Sequence, residues 1–133
     1  MSAPLADARA IFDRRVAAWL AADTDAYLAC WRDDMRITLP GARVIEGVTD
    51  YRALVEQSFA WAAPVAFDVH ALAVDGDRIL ADWTITMRRR ADDVLVRWHG
   101  LSICEIRDGR IAWWREHHLA PPAPVDTIGA GGK

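Results

Sequence analysis

The chain has 133 residues, 53 % of them hydrophobic and 26 % charged, with a formal net charge of −3. That balance fits one globular domain with a real core and excludes a disordered chain. No apolar run approaches the ~18 residues of a membrane-spanning helix, and the first ten residues lack the apolar stretch of a secretory leader, so a cytoplasmic location is expected.

The elements follow in chain order. Ile11, Phe12, Val16, Trp19 and Leu20 recur at helical spacing and predict an amphipathic helix over 4–22, with Pro4 in its first turn. Asp23 or Thr24 caps a second helix carrying Tyr27, Leu28 and Trp31 on one face. Met35, Ile37 and Leu39 then alternate with polar residues up to Pro40-Gly41, which predicts a short strand. Val44 and Ile45 read as a further short piece, and Thr49 as the cap of a third helix with Tyr51, Leu54, Val55 and Phe59 inward.

After Pro64 the period changes from helical to alternating. Four runs, 65–74, 78–90, 94–106 and 110–119, are divided by Asp-Gly or by mixed-charge turns, the signature of an antiparallel meander. The expected fold class is therefore α+β, with three N-terminal helices packed on one face of a strongly bent antiparallel sheet. Residues 1–120 read as one domain. Residues 121–133 read as a Pro/Gly-rich tail lying on the surface or disordered.

Nucleic-acid binding is not expected. The one dense basic cluster, Arg88-Arg89-Arg90, is followed at once by Asp92 and Asp93, as at a solvated hairpin tip. Cys30 and Cys104 stand far apart and read as two buried thiols. His117 and His118 are neighbours, and neighbours on a strand diverge, so no metal site is expected.

The stretches "ACWRDDMRITLPGARVIEGVTDYRALVE" and "LSICEIRDGRIAWWREHHL" carry a resemblance to the NTF2-like superfamily, and within it to the SnoaL-like group. It covers about residues 5–120. The resemblance implies a cone-like sheet closed by helices, a pocket at the open end and a homodimer through the outer sheet face. It also aligns Glu116, in "WWRE", with the acid that limonene-epoxide-hydrolase-like members carry after Trp-Arg. The Arg-x-Asp pair those enzymes need falls on Trp83 and Ile85. Ketosteroid-isomerase-like members need an acid before the Pro that ends the first strand; Leu39 stands there, and their tyrosine donor falls near Arg15.

Alternation along the last strand then puts Ala112, Trp114, Glu116 and His118 on one face. The resemblance makes that face the inner one. Trp83, Ile85 and Met87, then Trp98, Gly100, Ser102 and Cys104, share it. Ile37 and Leu39 come from the first strand, and Trp19, Tyr27, Trp31 and Phe59 roof the space from the helices. The expectation is a tryptophan-rich pocket for a hydrophobic small molecule. Glu116 would act as a general acid–base, because a carboxyl in an apolar wall favours its neutral form. His118 would assist it, and no cofactor would be needed.

Other readings stay open. Glu116 could pair with an Arg such as Arg36 at the sheet rim, and His118 could be exposed at the strand end. His99 reads as an interface residue beside Arg97, and His70 as a surface or edge histidine. The function is then an isomerase, cyclase or hydrolase, a non-catalytic binder, or a dimerisation module with a filled core. Leu95, Leu101, Ile103, Ile111 and Trp113 on the outer face favour a covering partner.

Overall fold

A computed structural model describes residues 5–125. The elements run α1 (Leu5–Leu20), α2 (Thr24–Leu28), β1 (Trp31–Leu39), β2 (Arg43–Glu46), α3 (Val48–Trp61), β3 (Ala62–Asp75), β4 (Arg78–Arg89), β5 (Leu95–Arg107), β6 (Arg110–His118) and β7 (Ala123–Pro124). The helices pack on a curved, open sheet ordered β2-β1-β6-β5-β4-β3, with β7 added to β5. This is the α+β cone of the NTF2-like fold.

The meander from β3 to β6 is antiparallel, but β1 joins β6 in parallel, so the sheet is mixed rather than purely antiparallel. A parallel neighbour needs a long crossover; here the whole segment from β2 to β5 lies between the two strands. The turns follow the sequence chemistry. Asp108 and Gly109 both take positive φ (53° and 75°), as a type I′ turn matched to strand twist requires.

Several boundaries differ from the expected ones, each for a physical reason. Helix α2 is only five residues long, and the Asp23 side chain caps it by accepting from the Ala26 N–H at 3.0 Å. Trp31 therefore leaves the helix and opens β1, opposite Ile111 of β6. Strand β3 begins at Ala62, before Pro64; a proline is tolerated because β3 is the sheet edge. Bulges at Pro64/Ala66 and Val69/Ala71 bend that strand and help curl the sheet. A further irregularity where β5 meets β6 passes over Ala112, so Ile111 turns into the core instead of lying on the outer face. Pro4 and the chain after Val125 lie outside the described residues, whereas Ala123–Val125 pair with β5.

On α1 the buried stripe is Ala8, Ile11, Phe12, Arg15, Ala18 and Trp19, with Leu20 exposed. That is the i, i+3, i+4, i+7 pattern of one helix face, with an arginine in its middle. Among the described residues no helix is long and apolar enough to cross a membrane.

Candidate active site

Strand alternation builds the site from β6. Trp114, Glu116 and His118 all turn to the concave face, where the first two are buried and His118 is partly covered. The Trp114 indole N–H donates to Glu116 Oε1 at 2.9 Å, and His118 Nε2 meets Glu116 Oε2 at 2.7 Å. Both carboxylate oxygens thus have partners, which compensates the burial of the group. Arg36 is not one of them, so the rim ion pair does not form. The other ring nitrogen of His118, Nδ1, makes no hydrogen bond among the described residues.

The neighbouring strands shape the space around this pair. Gly100 of β5 stands opposite both His118 and Trp83. A Cβ on Gly100 would lie 2.3 Å from the Trp83 ring, so only glycine admits that indole. Trp83 is anchored by its N–H, which donates to Ser102 Oγ at 3.0 Å. The His118 ring lies edge-on to Trp83 and tilted against Trp98, with centroids 6.2 Å away in each case.

The helices close the top. The Tyr27 and Tyr51 hydroxyls share a hydrogen bond of 2.9 Å. Burial holds the Tyr51 phenol well above its ordinary pKa, so it keeps its proton. Arg15 enters from α1 and is 4 % exposed. Its guanidinium lies 4.2 Å from the Trp114 ring centroid and 5.1 Å from that of Phe67. Burial pulls its pKa down, but the fields of Tyr27, Tyr51 and Glu116 outweigh this and leave it above the ordinary value. Arg15 Nε and Nη1 have no hydrogen-bond partner.

These groups surround a hollow of about 210 Å³. Of the residues expected around a pocket, Trp19, Tyr27, Ile37, Leu39, Trp83, Ile85, Trp98, Glu116 and His118 line it. Trp31, Phe59, Met87, Cys104 and Trp114 lie behind it in the packed core. Trp31 moves there because it opens β1 and packs edge-on to Tyr51 and tilted against Trp114. The Trp114 ring is covered by Arg15. Burial pushes the Cys104 thiol up to about 12, which leaves no thiolate for chemistry near neutrality.

Sequence reasoning missed Arg15, Tyr51, Leu54, Val55, Ser58, Trp61 and Pro122 as lining residues. The arginine was detectable, since it interrupts an otherwise apolar stripe on α1. Pro122 was not, because its position depends on how the chain turns after β6.

His70 and His99 do not reach this hollow. His99 pairs with Asp82 and His70 Nε2 meets Thr84 Oγ1 at 2.7 Å, with the two imidazoles edge to face. A wider open groove of about 1170 Å³ runs along α1 to the β5–β6 turn, lined by alanines and solvated charges. Among the described residues no three His, Cys, Asp or Glu side chains gather to hold a metal.

Fold and site together define an α+β protein of the ketosteroid-isomerase-like form, with a polar pair set in an aromatic wall. Residues 12–114 match the SnoaL-like domain, and the chain belongs to that family. Among solved structures it is similar to an LEH-like epoxide hydrolase of M. tuberculosis, at 21 % identity and TM-score 0.74, covering 85 % of this chain and 83 % of that one. It is also similar to TsrD from Streptomyces laurentii, at 19 % identity and TM-score 0.75, covering 89 % and 92 %. An isomerase candidate from Bacillus subtilis aligns at 18 % identity and TM-score 0.76, covering 84 % and 86 %. At these identities the likeness is one of fold. No protein of curated function matches the chain.

Proposed function

We propose that the protein is a small enzyme that needs no bound cofactor and moves a proton on a small cyclic substrate. The observation that carries this reading is the Glu116–His118 pair in the wall of the hollow, held at 2.7 Å between Trp83 and Trp98. In the tautomer with the ring proton on Nε2, His118 donates to Glu116 Oε2 and leaves Nδ1 as a base. That base would take a proton from carbon next to a carbonyl and return it elsewhere on the same molecule, as isomerisation or cyclisation requires. Glu116 then orients the imidazole, and the roles first expected of the two residues are exchanged. Hydrolysis of an epoxide is the weaker reading, because Trp83 and Ile85 stand where the water-holding Arg-x-Asp pair would fall.

Deuterium exchange tests this. Small cyclic ketones are incubated with the protein in D2O and followed by proton NMR. The expected result is α-proton exchange above buffer for at least one ketone, lost in His118→Ala. Ketones that bind without any exchange above buffer would instead establish a non-catalytic binder, a reading favoured by the full engagement of the Glu116 oxygens.

We also propose that a second copy of the chain covers the outer sheet face. Leu80 and Leu101 are 43 % and 44 % exposed there. Such apolar area on a sheet face is costly to leave in water.

A further inference from the structure

The guanidinium of Arg15 is buried, yet no carboxylate reaches it among the described residues, and two of its nitrogens have no acceptor. Four aromatic rings flank it, with Trp114 nearest, and the Tyr27 hydroxyl and Glu116 lie close enough for their fields to act on it. Trp19 Nε1, also buried and also lining the hollow, is a third donor without a partner. The Tyr27–Tyr51 pair adds a hydroxyl proton, since one of the two donates to the other and one proton is left over. The one carboxylate in the wall, Glu116, is occupied by Trp114 and His118. Among the described residues, the helix side of the hollow is therefore rich in donors and has no free carboxylate to meet them. An unpaired buried cation is a costly arrangement unless an anion completes it.

We propose that the hollow takes a small single-ring carboxylate, with the carboxylate on Arg15 and the ring against Trp83 and Trp98. Guanidinium and carboxylate match in charge and planar geometry. The volume, about 210 Å³, lies below the roughly 300–1000 Å³ of pockets for drug-sized ligands, which limits the ligand to about one ring. This inference rests on the hollow being a ligand site and names the class of ligand. The Trp114 indole links the two poles of the site, since its face carries Arg15 and its N–H holds Glu116.

Benzoate and benzamide, equal in shape and different in charge, provide the test. Binding is read from tryptophan fluorescence, to which Trp19, Trp83 and Trp98 report. The wild type should bind benzoate roughly tenfold or more tightly than benzamide, the weight of one charge-assisted contact. Arg15→Met should lose that preference while still binding benzamide. The Arg15 Nε–H NMR signal of the wild type should shift with benzoate and not with benzamide, which requires no variant to fold. Equal binding of the two compounds with a still Arg15 signal overturns the carboxylate assignment and leaves the ligand site standing. Binding of neither compound overturns the ligand site as well.

Discussion

The sheet carries two carboxylate–histidine pairs, one on each face. Glu116 and His118 sit two residues apart on β6, facing the hollow, with side chains 11 % and 18 % exposed. Asp82 and His99 meet across β4 and β5 on the outer face, 36 % and 40 % exposed. The groups are chemically alike. The inner pair is shielded by Trp83 and Trp98, so its electrostatics act at low dielectric; in a single copy of the chain the outer pair is screened by water. Strand parity alone separates them, and it makes one pair a candidate for chemistry and the other a surface contact.

The largest expected effect breaks the comparison at its inner member. Glu116→Gln or His118→Ala should lower proton exchange on a turned-over ketone by at least about a hundredfold, the low end for a positioned acid–base group. Asp82→Asn or His99→Ala should leave that rate unchanged, and an equal loss from both faces would defeat the distinction. Next, Gly100→Ala drives a methyl into the Trp83 ring, which is 1 % exposed and tied to Ser102. A loss of about 1–3 kcal/mol in chemical denaturation is expected. Ligand-induced fluorescence change should fall with it, since Trp83 backs His118. On the outer face, Leu101→Lys should weaken self-association roughly tenfold in sedimentation, as loss of an interface anchor does, without altering benzoate binding. The smallest effect belongs to the exposed pair: Asp82→Asn should cost less than about 1 kcal/mol in the stability of the single chain, measured at dilutions where it does not self-associate.

Much of this arrangement was legible beforehand. The Asp-Gly turns fixed the meander, and alternation along "WWREHH" put Glu116 and His118 together and His117 apart. Parity fails wherever a strand gains a residue. Ile111 was assigned to the outer face because nothing in the sequence marks the irregularity at Ala112. Trp31 was assigned to a helix because a five-residue helix and a longer one begin with the same cap. The hydrogen bonds that use up both Glu116 oxygens were not legible either. They depend on the rotamers of Trp114 and His118, and pattern supplies only the face. Arg15 was the most readable omission. A charge at the centre of an apolar stripe either reaches solvent or meets something inside, and stripe geometry had already removed the solvent.

The break between β6 and β7 divides the rim of the hollow into parts of unequal stability. Strand β5 is paired with β6 as far as Gly100–His118, and then with β7 at Arg97 and Val96. Between these two partners the chain departs through a short turn that brings Pro122 to the rim of the hollow. The seam therefore divides the edge into a long ladder that carries the polar pair and a two-residue ladder that does not. Backbone amides on the short side should exchange with solvent far sooner than those of β6, as small cooperative units do. The imidazole and its carboxylate stand on the long ladder, apart from this short one.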